Sequence, residues 1–240
     1  MPLVDVVCLA NSRKYGGRCV AGLRAAGGGW VRPVSRGHDG VLLPQHYKLS
    51  DGSDARVLDL LRIDLAGPRP GPHQPENWVI GSRQWELLAR PAPADLVAGV
   101  VRRHLLMGPS LLGSESDRVP FSTFSENHAI ASLALVAPSR VEWEIRVPAP
   151  GTRHTRAVFR LGEAEYDLSV TDLAWEYRLL RLPPGRHSMQ AAGLADGDRL
   201  LLTISLGEPY AVDDCCYKLV AAITIASLSL IRALADFQNY

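Results

Sequence analysis

The strongest constraint in the chain is an apolar period of two that returns again and again between glycines and prolines. Val141, Trp143, Ile145 and Val147 alternate with Glu142, Glu144 and Arg146, and Leu200, Leu202, Ile204 and Leu206 repeat the pattern. Such alternation places one side of a strand in a core and the other in water. Residues 157–161 and 166–170 form two more runs around a glycine-containing turn. Earlier, residues 3–9 read as an apolar strand, 10–17 as a polar, glycine-ended turn, and 18–23 as a second strand. Residues 30–34 form a third, edge-like strand, because Pro33 cannot donate to a ladder. Residues 57–65 set Leu58, Leu60, Ile63 and Leu65 against Asp59, Arg62 and Asp64. Short strands closed by Gly and Pro turns argue for small barrels or sandwiches.

A chain of 240 residues can bury two such cores. The expected fold class is mainly β (a β-rich α+β chain): a first barrel over residues 1–115, a second over 130–240, and a few helices. One helix is expected near 94–107, where Pro93 and Asp95 start it and Gly108 with Pro109 stop it. Residues 111–128, rich in serine, acids and turn formers, read as the linker. After Tyr217 a strand through Ile225 followed by a C-terminal helix is expected, although Val220, Ile223, Leu228, Ile231 and Leu234 also fit one helical face.

The formal net charge is only +1, which gives no argument for attraction of the whole molecule to a polyanion, so any nucleic-acid contact needs a local basic face. Arg13, Lys14, Arg18, Arg24, Arg32 and Arg36 crowd into one acid-poor stretch, which otherwise is a solvated surface. Asn11, Ser12, Arg13 and Lys14 precede Gly16 and Gly17, a composition that suits anion contact. The lysine lies before the glycines, so this is not a phosphate-binding P-loop. Trp30 beside Arg32 and Tyr15 beside Lys14 set rings next to cations, as base stacking with phosphate pairing requires. Trp30 fits a core position equally well. His73, Gln74, Glu76, Asn77 and Trp78 form a second polar cluster on a proline-stiffened loop.

In the second half Thr171, Asp172, Glu208, Tyr217 and Lys218 are the candidate site residues. Asp172, Glu208 and Lys218 form an acid–base set only if the fold gathers them, and Asp172 also reads as a turn or helix cap. Cys8, Cys19, Cys215 and Cys216 are expected as free thiols; Cys19 beside Arg18 and Cys216 near Lys218 are the positions where a reactive thiolate is conceivable. No zinc spacing and no glycine-flanked serine are present, so no metal and no cofactor are expected and the catalytic residues stay unknown. The N-terminus lacks a signal-peptide pattern, and the apolar residues 219–234 are interrupted by Thr224, Ser227, Ser229 and Arg232. A cytoplasmic protein without a membrane partner is the expectation.

Six phrases, CLANSRKYGGRCVAG, GGWVRPVS, HQPENWVI, YDLSVTD, LTISLGEP and CYKLVAAI, follow in this order from Cys8 to Ile223. Together they resemble the bacterial dual OB-containing domain proteins. The resemblance implies two OB-like barrels in tandem that recognise nucleic acid, DNA or RNA, or a nucleotide, in a prokaryotic defence or conflict system. On that basis Arg13, Lys14, Arg18 and Arg32 are expected to face phosphates while Trp30 or Trp78 stacks a base. Aromatic residues make up only 7%, which departs from a tight, sequence-blind single-strand binder. An enzyme acting on a nucleotide or modified base, and an adaptor with protein partners, are the alternatives.

Overall fold

A computed structural model describes residues 2–37, 39–126, 128–227 and 230–231. The chain divides into two compact units, one built on residues up to His104 with Ala129–Ala131, the other on Leu105–His128 and Ser132–Ala226.

The first unit contains β1 (Leu3–Lys14), β2 (Gly17–Arg24), β3 (Trp30–Val34), α1 (Pro44–Tyr47), β4 (Leu60–Pro68), β5 (Asn77–Ile80), β6 (Glu86–Ala89) and α2 (Ala94–His104). The order β1-β2-β3-β5-β4 closes on itself, because β1 also pairs with β4, and β6 adds to the outside of β4. All these pairs are antiparallel except β3 with β5. One strand must therefore serve two neighbours. Leu3 to Val7 of β1 pair with β4, Val6 to Lys14 pair with β2, and a bulge between Cys8 and Ala10 bends the strand around the barrel. Val6, Cys8, Val20, Val31, Leu61, Ile63 and Leu65 fill the interior. Burial of each large aliphatic side chain contributes about 1.5–3 kcal/mol.

The second unit contains β7 (Arg118–Pro120), α3 (Thr123–Glu126), β8 (Leu133–Val136), β9 (Val141–Arg146), β10 (His154–Leu161), β11 (Ala164–Val170), α4 (Leu173–Leu179), β12 (Gly185–His187), β13 (Leu200–Tyr210) and β14 (Cys215–Ile225). Its sheet runs β9-β10-β11-β14-β13-β8, with β12 on the far side of β9. β11 and β14 form the parallel pair. The sequence of pairings is that of the first barrel, with the opening strand cut in two: β8 pairs with β13 and β9 with β10. Pro138 lies in the cut, where its missing N–H and fixed φ disfavour a continuous ladder. α4 follows the third strand of this barrel, and Trp143, Phe159, Tyr166, Trp175, Leu202, Ile204 and Leu206 are buried.

Several expectations shift. β1 continues through Lys14 because the turn is confined to Tyr15 and Gly16, whose φ values of 44° and 80° make a tight hairpin. α2 stops at His104 instead of 107. Residues 111–128, read as a linker, belong to the second unit: Leu111 is buried, and β7 pairs with β14. Serines and acids there are used to bind the barrel, which composition does not reveal. Residues 217–225 take the strand option; Leu230 and Ile231 are helical, and the rest of the expected C-terminal helix lies outside the described residues. Among the described residues no helix is long and apolar enough to cross a membrane.

Candidate functional site

The basic stretch is folded into two separate places. At the β1–β2 hairpin end Arg13 stands directly opposite Arg18, with Lys14 beside them. Arg18 lies over the Tyr47 ring at 5.6 Å and Lys14 near the Tyr15 ring at 6.0 Å. Asn11 donates to the carbonyl of Ala55 at 2.7 Å, and Ser12 is buried opposite the half-buried Cys19, so this part of the hairpin is fastened to the barrel. Arg24 ends the same strand; six residues of extended chain separate it from Arg18 by roughly 20 Å.

At that far end the chain turns through Gly27, Gly28 and Gly29, with φ of 92°, 97° and 84°. Three successive left-handed residues are accessible to glycine and strained for anything larger. The Arg24 N–H donates to Gly29 O at 3.1 Å and the Gly27 N–H to Arg24 O at 3.1 Å, which closes the turn. The loop between β4 and β5 arrives beside it: Glu76 O accepts from Arg32 N–H at 2.9 Å, and Trp78 pairs with Pro33 across the parallel strands. Ala129 N–H donates to Pro72 O at 2.8 Å and brings Ile130 to the rim. These elements border an open cleft of about 650 Å³, lined by Arg24, the three glycines, Trp30, Trp78 and Glu76 among others. That volume lies within the range of small-ligand sites. The Arg24 guanidinium stacks on the Trp78 ring at 4.6 Å, and burial pushes its pKa down from the ordinary value without removing its charge.

Trp30 and Trp78 thus meet in one cleft with Arg24. Gln74 and Asn77 lie next to it, the Asn77 amide donating to Gln74 Oε1 at 3.2 Å. Arg32, expected to face phosphate, does not join them at the surface: it is 1% exposed, and the outer side of β2 is closed as well, with Ala21 and Leu23 at 1% and 0%. The middle of the outer face of β2 is therefore closed to ligand, and the exposed charged residues lie toward the strand ends. The corresponding face of the second barrel is open but self-neutralised. Arg146 pairs with Glu144 and Asp167, Arg156 with Asp167, and Arg160 with Glu165. A phosphate there would have to displace a carboxylate from each arginine.

The second-half candidates are scattered. Asp172 caps α4: Oδ1 accepts from Ala174 N–H at 2.9 Å and Trp175 N–H at 3.2 Å, while Oδ2 accepts from Ile223 N–H at 2.8 Å. Burial raises its pKa and the three N–H donors oppose the rise. Thr171 donates to Val220 O at 3.3 Å. Lys218 lies five residues before Ile223 along β14, roughly 16 Å away. It is 1% exposed, and its ammonium donates to Ser114 O, Ser114 Oγ and Ser116 O at 2.8, 2.9 and 2.6 Å. Tyr217 is held by Arg118 and Asp213 at 2.5 and 2.7 Å. Glu208 is half-buried and helps push the Cys216 thiol up to about 12, with burial the larger cause. Cys8 is raised to about 12 by burial and then by Asp59. These two thiols are poor nucleophiles. Among the described residues no group of three His, Cys, Asp or Glu is placed to hold a metal ion.

The strand order and the cleft define a tandem OB-fold protein, a class whose domains commonly bind nucleic acids or oligonucleotides. The chain belongs to the dual OB-containing domain family, whose model matches residues 4–223. A comparison with curated proteins finds no match. Arg24 is the cleft residue that sequence reasoning leaves undistinguished within the basic stretch; its place at the end of an apolar run, three residues before a run of three glycines, is the available signal.

Proposed function

We propose that the protein binds a single-stranded segment of nucleic acid at the cleft of its first barrel. The observation that carries this reading is the Arg24–Trp78 stack beside Trp30, at the glycine turn. An aromatic and cation pair of this kind accepts an unstacked base, while the glycines let a sugar–phosphate chain approach the backbone. Arg13, Lys14 and Arg18 at the opposite end of β2 extend the positive field for the continuing strand. A place in a defence or conflict system belongs to the same proposal and rests on the family resemblance alone.

Fluorescence anisotropy with labelled single-stranded oligonucleotides tests the reading. Trp78→Ala should weaken binding roughly 5- to 100-fold, the range of one lost base–aromatic stack. Arg24→Ala, which leaves the barrel interior intact, should do likewise and flatten the salt dependence. Affinity unchanged in both variants, or no binding by the native protein at low salt, refutes the proposal.

A further inference from the structure

The cleft continues past the glycine turn. On the other side of Arg24 and Gly27, which line both, lies a second depression of about 370 Å³ walled by Leu3, Val4, Asp5, Ala26 and Arg62. Asp5 and Arg62 are directly opposite each other on β1 and β4. Arg62 Nε donates to Asp5 Oδ1 at 2.8 Å and Nη2 to Oδ2 at 3.0 Å. The Arg62 and Asp5 side chains are 38% and 36% exposed, so the pair is reachable. Glu86 stands opposite Arg62 on β6 and adds a second negative charge.

Asp5 and Glu86 offset the charges of Arg62 and Arg24, so the spot carries no net positive charge to draw in a phosphate and suits a neutral polar group. Asp5 occupies one edge of the guanidinium and fixes its orientation. The end edge, formed by Nη1 and Nη2, keeps a parallel pair of N–H donors, and Arg62 makes no other hydrogen bond among the described residues. Such a fork matches two acceptors side by side. Guanine presents O6 and N7 in that arrangement, and unpaired cytosine presents O2 and N3 on a smaller ring; adenine replaces one acceptor by a donor, and uracil and thymine lack the pair. Leu3, exposed and on the same face of β1 as Asp5, supplies apolar surface for the ring, which favours the larger purine.

We propose that the second depression takes a guanine base, read by Arg62 held in register by Asp5, next to the base stacked at Trp78. This rests on the nucleic-acid reading of the first cleft. The test is anisotropy titration of the full chain with labelled single-stranded heptamers, RNA and DNA, that differ only in a central guanine or adenine. The guanine heptamer should bind roughly 5- to 100-fold more tightly, as expected for one bidentate arginine contact. Arg62→Lys keeps the charge and loses the fork, so it should reduce guanine affinity to that of adenine and leave the adenine heptamer unchanged. Asp5→Asn, which loosens the clamp, should lower the preference in part. Trp78→Ala should weaken every heptamer alike. Equal native affinity for the two heptamers, or a preference that survives Arg62→Lys, overturns the guanine assignment alone; no binding of any heptamer overturns both readings.

Discussion

Lys218 offers a direct contest between burial and hydrogen bonding. The residue is 1% exposed, yet three oxygen acceptors surround its ammonium within 2.9 Å. Burial lowers its pKa from the ordinary 10.5 to about 8, and Asp117 opposes the change. Below pH 8 both the folded and unfolded chains carry the proton. Between about 8 and 10.5 the unfolded chain binds more protons, so stability rises with pH through that window. At about 1.4 kcal/mol per pKa unit the full contribution is about 3.4 kcal/mol, of which about 2 kcal/mol appears between about pH 7 and 9.5. Urea unfolding of the native protein and of Lys218→Met across this range isolates it, because the shared tyrosine and thiol titrations cancel in the difference. The native protein should gain about 2 kcal/mol relative to the variant by about pH 9.5. A pH-independent difference would refute the reasoning and show that the three oxygens compensate the ammonium fully for leaving water.

Close contacts in the two barrels lead to further outcomes. A Cβ on Gly22 would stand 2.2 Å from Val7 O, a backbone atom in the paired strand, so Gly22→Ala should destabilise the first barrel by about 3 kcal/mol or prevent folding, read by thermal unfolding. Asp172→Ala strands the N–H groups of Ala174, Trp175 and Ile223 and should remove about 3 kcal/mol, read by denaturant unfolding, whereas a catalytic role would lower turnover without that loss. Cys8 and Cys216 should resist alkylation at about pH 8 in the folded protein and react once it is unfolded, read by intact mass.

The hairpin of residues 154–170 is legible in the sequence: Ala157, Phe159 and Leu161 alternate into the core against Tyr166, Leu168 and Val170, and Gly162 marks the turn. The expected linker shows the opposite case. Ser114 and Ser116 are polar and look solvated, but their oxygens hold Lys218, a partner more than a hundred residues away. Trp30 and Trp78 each stand out as ring donors, and nothing in their spacing joins them.

Local chemistry supplies the strands and turns, because period-two burial and left-handed glycines are properties of a few neighbouring residues. The parallel β3–β5 pairing that brings Trp78 beside Trp30 and Arg24, and the β2 length that sends Arg13 and Arg18 away from them, come from closure of the barrel. Closure settles which distant strands become neighbours through hydrogen-bond register, and register depends on the whole sheet at once.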